Sequence, residues 1–346
     1  MQKYKFLNFL IIISFIIVFL SLYSLESKTT NELNIYSGRK LHLIEPLIKE
    51  FEEKSGIKIN IVTGKSDQFI ERIKLEKNNP EVDILLTTDV ARLYRAKKNN
   101  LFTKIDSRIL KKNIPNKFRD KENYWFGLSV RARPIIYSNE RVELKELSTY
   151  EDLKNKKWKK RVCMRSSNNV YNQSLISSMI INLGRKRTED WIKGLVNNLS
   201  KKPYGGDRDQ IRSIAYGECD ITIANTYYLA NMLNGKNKKD KIAAKKVSIF
   251  WPNQKNQGTH VNISGAGIIK GAKNINNAIA FLEFLTTKEA QKIYTEKINE
   301  YSIRNDIEIS KILINFGKFI ANDEIIHLIG ENLEKSILIA SKNNWR

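Results

Sequence analysis

The chain has 346 residues, more than one hydrophobic core usually serves, so its length indicates two packed units. Hydrophobic residues make up 41% of the sequence and charged residues 28%, a globular balance that excludes wholesale disorder. The formal net charge of +23 invites a nucleic-acid interpretation, but the basic residues are spread along the chain without zinc-finger spacing, RNP-like motif or basic heptad helix. We therefore expect a solvated basic surface and no nucleic-acid partner.

The N-terminus combines a positively charged segment with a long apolar run. Lys3 and Lys5 precede the apolar residues 6–25, which is the order found in secretory signals. We predict a signal peptide over residues 1–28 and a mature protein in the periplasm. An uncleaved membrane anchor is the alternative, because the run is long enough to span a bilayer.

Strand and helix patterns alternate after this segment. The predicted elements are, in chain order, a strand at 32–36, a helix at 43–54, a strand at 57–62, a helix at 69–75, a strand at 82–86 and a helix at 90–98. This order favours a mostly parallel sheet with helices on both faces. In such sheets, ligands meet the loops at the carboxyl ends of the strands.

A second alternation begins near residue 150. Its predicted elements are a strand at 158–164, helices at 173–183, 189–199 and 207–216, and a strand at 219–224. The sequence has no internal repeat and no low-complexity linker. Two α/β lobes, with the chain passing between them more than once, are therefore the simplest architecture.

Three tyrosines follow predicted strands in similar turns. Each cysteine of the chain precedes one of them by eight residues, Cys163 before Tyr171 and Cys219 before Tyr227, which Tyr228 follows. If the two strands are parallel neighbours in register, the tyrosines meet at one sheet edge and the sulfurs lie close enough for a disulfide. Export makes that bridge possible, and two unrelated buried thiols are the alternative.

A phenol has a pKa of about 10, so a phenolate at neutral pH needs a strong cation beside it. Hard trivalent iron supplies that charge, and phenolate oxygen is a known ligand of haem iron. Several phenolates with an anion would neutralise the ion. Simple aromatic packing is the alternative explanation for the adjacent Tyr227 and Tyr228.

Several longer motifs carry a family resemblance. They are RVCMRSSNNVYNQSL at 161–175, NTYY at 225–228, GGDRDQ at 205–210, GTHVNISG at 258–265 and WFGL at 125–128, with a weaker echo in WR at 345–346. Together they resemble the ferric-iron-binding proteins of bacterial ABC importers, the FbpA/FutA family, from about residue 31 to 305. The resemblance implies an α/β, two-lobed periplasmic-binding-protein (Venus-flytrap) fold of type II. We place lobe 1 at 29–130 plus 265–346 and lobe 2 at 131–264.

The resemblance also implies a ligand set. The family's iron ligands carry over to three positions of lobe 2: Tyr171, Tyr227 and Tyr228. Where some members have a His-Tyr pair after the first strand, this sequence reads Lys40-Leu41, and we expect His42 to face elsewhere. The chain is thus similar to the three-tyrosine subgroup, which completes the Fe3+ shell with carbonate, another small anion or water.

Three arginines are candidates for holding that anion or supporting the ligands: Arg39, Arg131 and Arg133. The guanidinium group offers a fork of donors, and a salt bridge is the alternative role for each. The resemblance further implies a monomer that delivers its iron to an ABC permease and its ATPase subunits.

Other functions have weaker support in the sequence. It contains no Gly-x-Ser-x-Gly elbow, Walker loop or His-Glu-x-x-His, and its three histidines leave few candidates for acid–base catalysis, so we do not expect an enzyme. The closer alternative is the same fold binding an oxyanion, a polyamine or an organic acid. Oxyanion binders favour backbone N–H groups at helix N-termini, and none of these ligands requires three tyrosines.

Overall fold

The computed structural model describes residues 31–76 and 79–346, so the predicted signal peptide at 1–28 lies outside the described residues. Within the described ranges, no helix has the length and apolar character needed to cross a bilayer. The chain forms two sheets with separate hydrophobic cores.

Helices and strands follow one another along three parts of the chain. The first part supplies β1 (Glu32–Ser37), α1 (Leu41–Ser55), β2 (Lys58–Thr63), α2 (Ser66–Glu76), β3 (Ile84–Thr87), α3 (Val90–Lys98), α4 (Arg108–Asn113) and β4 (Phe126–Ala132). The middle part supplies β5 (Ile135–Ser138), α5 (Val170–Leu183), α6 (Arg185–Asn197), α7 (Asp207–Ala215), β6 (Ile221–Ile223), α8 (Thr226–Asn234), α9 (Lys238–Lys245) and β7 (Val247–Phe250). The last part supplies β8 (Thr259–Ile268), α10 (Ile275–Leu285), α11 (Lys288–Ile293), a π-helical turn (Tyr294–Ile298), α12 (Lys311–Asn315), β9 (Ala321–Asn322), α13 (Ile326–Ile329) and α14 (Leu333–Lys342). Short 3-10 turns occupy Asn116–Phe118, Leu144–Glu146, Glu151–Lys154, Lys156–Trp158 and Gly330–Asn332.

The first sheet has the strand order β2-β1-β3-β8-β4, and β9 adds to β8. β1 runs parallel to β2 and β3, whereas β8 runs antiparallel to β3 and β4. The sheet is therefore mixed rather than mostly parallel, because β8 enters from the second lobe and not through a helical crossover. Every residue of β3, β4 and β8 is buried, as expected where helices cover both faces.

Local sequence signals account for the first helix. α1 buries Ile44, Leu47, Ile48 and Phe51, which recur at helical spacing and face the core of the first lobe. Gly56 ends the helix in the left-handed conformation (φ 67°), which glycine adopts without steric cost.

The second sheet has the order β6-β5-β7, and both neighbours of β5 are antiparallel to it. The strand predicted at 158–164 is wrong. The chain turns at Lys160 (φ 59°), and only Val162 forms parallel bridges, to Leu199 and Ile221. The predicted register, cysteine opposite cysteine, is wrong as well, because Val162 lies opposite Ile221.

The two cysteines are nevertheless joined. Cys163 and Cys219 form a disulfide with their Cα atoms 5.8 Å apart, and both are buried. The bridge ties the segment that leads to α5 to the segment that leads to β6 and α8. It therefore connects the two parts of the chain that carry the tyrosines.

The chain crosses between the lobes at residues 133–134, between β4 and β5, and at 251–258, between β7 and β8. A third connection leads into α14, which packs on α5 and α6 of the second lobe. Ile339, Ala340 and Trp345 belong to the second lobe's core, although the predicted division assigned 265–346 to the first lobe. The predicted domain boundaries stay a prediction, and this packing argues for moving the C-terminal segment to the second lobe.

Candidate functional site

Tyr171 lies at the start of α5. The side chain of Asn169 accepts a hydrogen bond from the Tyr171 backbone N–H at 3.0 Å and caps the helix. The sequence predicted a turn at Tyr171 and a helix only from residue 173. The cap moves the beginning of the helix to Val170 and places Tyr171 on its first turn.

Tyr227 and Tyr228 lie on the first turn of α8, directly after β6. Their ring centroids are 4.2 Å apart, and Tyr227 is almost fully buried. They share one cavity of about 410 Å³ with Tyr171. The structure therefore brings the three predicted tyrosines together between the lobes.

Both lobes line this cavity. The first lobe contributes Gly38, Arg39, Lys40, His42, Leu43, Thr88, Arg131 and Glu300. The second lobe contributes, besides the tyrosines, Arg165, Gly206, Asp207, Arg208, Asp209, Arg212 and Asn231. The expectation that His42 faces elsewhere is wrong, because His42 lies on the first turn of α1 and lines the cavity.

The first lobe reaches Tyr171 through Thr88. The Tyr171 hydroxyl donates to Thr88 Oγ1 at 3.4 Å, across 83 residues of sequence. Thr88 was not among the predicted site residues. It directly follows β3, so the rule that ligands meet the carboxyl ends of strands could have indicated it.

Arg131 provides the positive charge next to Tyr171. Its guanidinium carbon lies 5.0 Å from the centroid of the Tyr171 ring, and its Nη2 donates to the Ile263 carbonyl at 3.1 Å. Its Nε and Nη1 are buried and have no hydrogen-bond partner within the described part of the chain. Burial alone would raise the pKa of Tyr171, but Arg131 and hydrogen bonds with Thr88 and Tyr227 hold it below the ordinary value.

The neighbouring phenols behave in the opposite way. Burial raises the pKa of Tyr227 well above its ordinary value, and negative charge on Tyr171 and Tyr228 raises it further. Burial likewise raises the pKa of Tyr228, together with the charges of Tyr171 and Asp207. Without a cation in the cavity, negative charge in the cluster is therefore most favourable on Tyr171.

Arg133 lies beneath the tyrosines and does not line the main cavity. Its Nη1 contacts Asp207 Oδ2 at 2.9 Å and Asn225 Oδ1 at 3.3 Å, and its Nη2 contacts Asn172 Oδ1 at 2.7 Å. Asn172 follows Tyr171, and Asn225 precedes α8. Arg133 thus connects the N-termini of both tyrosine-bearing helices and stabilises their positions from below.

Arg165 is a further cation that was not among the predicted site residues. Its Nη1 donates to Asp207 Oδ1 at 3.0 Å, and its guanidinium carbon lies 5.7 Å from the Tyr171 ring centroid. Asp207 is fully buried and accepts from Arg133, Arg165 and the Asn225 backbone. The carboxylate therefore neutralises part of the positive charge around the tyrosines.

Arg39 is held within the first lobe. Its two terminal nitrogens contact the Glu300 carboxylate at 3.1 and 2.7 Å, and Nη2 also donates to Ser264 Oγ at 2.6 Å. Both partners of the ion pair are almost fully buried. Of the three arginines singled out in the sequence, Arg131 alone has a buried terminal nitrogen, Nη1, without a partner within the described residues.

The donor set defines what the cavity can hold. Three phenol oxygens are hard ligands, and as phenolates they would carry three negative charges, which balance a trivalent cation. Arg131 lines the same cavity and keeps N–H groups without a partner among the described residues, so it suits a small anion beside that cation.

The chain is similar to several known proteins. Residues 46–313 match the family described as bacterial extracellular solute-binding protein. The chain is 40% identical over 315 residues to iron uptake protein A1 of Synechocystis sp., covering 91% of this chain and 88% of that protein. The structure of the Trichodesmium protein (IdiA, FutA) in complex with iron and citrate ligands matches with a TM-score of 0.87 at 42% identity, over 91% of this chain and 100% of that one. The ferric binding protein from Campylobacter jejuni matches with a TM-score of 0.88 at 39% identity and the same coverage.

Proposed function

Because the chain belongs to the bacterial extracellular solute-binding protein family, we propose that it captures ferric iron between its lobes through the phenolates of Tyr171, Tyr227 and Tyr228. The convergence of three phenol oxygens on one interlobe cavity is the observation that supports this assignment. Membership confirms the resemblance found in the sequence, and the solved relatives confirm the two-lobed type II fold.

The pKa values of the three phenols support binding of a cation. Tyr171 is the phenol whose pKa lies below its ordinary value, despite the opposing effect of burial, because of Arg131. The iron would first bind the phenol oxygen of Tyr171, which loses its proton most easily. The bound cation would then lower the pKa of Tyr227 and Tyr228, which burial otherwise keeps protonated.

A small anion, such as carbonate, would complete the iron shell. The unpartnered Nη1 of Arg131 makes it the favoured holder, because the terminal nitrogens of Arg39 contact Glu300 and those of Arg133 contact Asp207, Asn225 and Asn172. Of the three arginines that the sequence suggested as holders of the anion, this proposal keeps only Arg131.

Family membership supports a proposed transport route for the iron. The chain would act as a binding protein rather than an enzyme, in the periplasm, and would pass its iron to an ABC permease whose ATPase subunits drive transport. Its relatives include proteins named for iron uptake and ferric iron binding, and those names support this route. Closure of the lobes over the ion would produce the form that the permease recognises.

A visible absorption spectrum during titration with ferric citrate tests the assignment. We expect a phenolate-to-iron charge-transfer band in the purified protein, and its loss together with a large drop in affinity in Tyr227→Phe. Tyr216→Phe is the matched control, because Tyr216 is 62% exposed and does not line the cavity. If the wild-type protein stays colourless, the cavity instead binds an oxyanion, a polyamine or an organic acid.

A further inference from the structure

Two asparagine side chains meet between the lobes at the edge of the cavity. Asn299 Nδ2 donates to Asn231 Oδ1 at 2.7 Å, across 68 residues of sequence. Asn231 lies on α8 of the second lobe and lines the cavity. Asn299 precedes Glu300, which is fixed in the first lobe by Arg39 and Ser129. The hydrogen bond therefore joins an anchored point of one lobe to the tyrosine-bearing helix of the other.

The backbone around Asn299 is unusual. A π-helical turn, Tyr294–Ile298, ends at Asn299, which adopts the left-handed conformation (φ 62°, ψ 33°). Asparagine tolerates this region better than most residues, and π-helical turns are frequent at functional sites. The turn presents the Asn299 amide to the second lobe instead of continuing the helix.

Burial gives the contact its energetic weight. Asn299 is 2% exposed, and its Oδ1 has no partner within the described residues. Separation of the lobes would break the bond to Asn231 and expose the amide to water. The bond therefore exists only while the lobes are together, and the unpartnered Oδ1 offsets part of its contribution.

The position of Asn231 links this bond to the ligand cluster. Asn231 follows Tyr227 by four residues and Tyr228 by three, so it lies one turn further along the same face of α8. Neither asparagine is a candidate ligand, and no charged group takes part in the bond. Its loss would change how long the lobes stay closed without changing the donor atoms in the cavity.

We propose that the Asn231–Asn299 hydrogen bond is a latch that holds the two lobes closed over the bound ion. The proposal rests on the proposed function, because the ion is taken to be the iron held by the tyrosines. The latch acts on retention of the ion, whereas the phenolates determine coordination.

The test compares iron release in three variants. Asn231→Ala removes the acceptor, Asn299→Gly removes the donor while keeping the left-handed backbone, and the third variant combines both. Iron-loaded protein is mixed with excess chelator, and the decay of the charge-transfer band gives the dissociation rate. Each single variant should release iron about 2- to 12-fold faster, the range that corresponds to one net hydrogen bond. The double variant should be no faster than the faster single variant, because one bond is lost in all three.

Matched controls separate the latch from general effects of the substitutions. Asn100→Gly removes another left-handed asparagine, which is exposed and lies outside the cavity, and Asn234→Ala removes an exposed asparagine at the end of α8. Both should release iron at the wild-type rate. The wavelength of the band should be the same in all variants, since the ligands are unchanged.

Three results would overturn the latch: unchanged release rates, single-variant effects that multiply in the double variant, or a displaced band. A wild-type protein without any band would instead refute iron binding. In that case, small-angle scattering of the protein without iron tests whether the Asn231–Asn299 bond holds the lobes together. A larger radius of gyration in the double variant than in wild type would support it, and identical radii would overturn it.

Discussion

Arg133 and Asp207 form an ion pair that is buried beneath both tyrosine-bearing helices, with Nη1 and Oδ2 2.9 Å apart. The pair also reaches Asn172 after Tyr171 and Asn225 before α8. Loss of Asp207 would leave Arg133 as an uncompensated buried charge, whereas Asp207 would keep its contact with Arg165 if Arg133 were lost. The support of the tyrosines and the stability of the second lobe therefore depend on the same contact.

Replacing Asp207 by Asn should destabilise the protein by about 3 to 5 kcal/mol, because Arg133 would stay buried without its counter-charge. Urea denaturation of the protein without iron gives the free energy of unfolding. Asp190→Asn is the matched control, since its contact with Lys186 at 4.0 Å is exposed and should contribute less than about 1 kcal/mol. Equal losses of unfolding free energy in the two variants would contradict the prediction that the buried ion pair contributes more than the exposed one.

The Asp207 carboxylate should also make the stability of the folded protein sensitive to acid. Burial opposes charge on Asp207, but Arg133 and Arg165 overcome this effect and hold its pKa below the ordinary value. A carboxyl group whose pKa is lower in the folded than in the unfolded protein contributes stability above the unfolded pKa of about 3.9. That contribution is lost as the pH falls through the lower folded value. Stability should decline below pH 4 more steeply in wild type than in Asp207→Asn, measured by urea denaturation at each pH; parallel curves would refute the role of Asp207.

Removing the N–H donors of Arg131 should weaken iron binding, because the anion that helps to hold the iron would lose its binding partner. The affinity for iron should then no longer depend on the anion. Wild type should hold iron more tightly in bicarbonate than in carbonate-free buffer, and Arg131→Met should show little difference between the two. The measurement is competition with a chelator in both buffers. Arg212→Met is the control, because Arg212 also lines the cavity but is engaged by Asp209 and Asp240. An anion dependence that persists in Arg131→Met would assign the anion to another group.

The Cys163–Cys219 disulfide should stabilise the folded protein by about 4 kcal/mol, because it closes a loop with a sequence separation of 56. The double substitution to Ser should lower the free energy of unfolding by that order. Reductant should destabilise wild type in the same way and leave the double variant unchanged. If reductant shifts the denaturation midpoint of both proteins equally, the effect does not come from this bridge.

The C-terminal Trp345 should maintain the loop that leads to Tyr171. Its ring is fully buried against Trp191, its Nε1 donates to the Arg165 carbonyl at 3.0 Å, and its own carbonyl accepts from Ser167. Deletion of residues 345–346 should increase hydrogen exchange at residues 165–170 and weaken iron binding. Deletion of the exposed Arg346 alone is the control and should change neither. Unchanged exchange after the longer deletion would show that the loop does not depend on Trp345.

The sequence by itself determined the approximate positions of the elements from β1 to α3 and the residues that carry the family motifs. The helix predicted at 43–54 lies within the observed α1 (Leu41–Ser55), and the predicted range 90–98 coincides with α3, because helical spacing and end signals act within a few positions. The motifs also indicated the family, which the comparisons confirmed, and singled out Tyr171, Tyr227 and Tyr228.

Only the tertiary structure decided which groups from distant parts of the sequence meet. It paired Arg39 with Glu300, 261 residues away, brought Thr88 to Tyr171 and placed Trp345 in the second lobe's core. It also replaced the predicted strand at 158–164 by bridges at Val162 alone. Such contacts depend on how the two lobes and their crossings are arranged in space, and short-range patterns in the sequence carry little information about that arrangement.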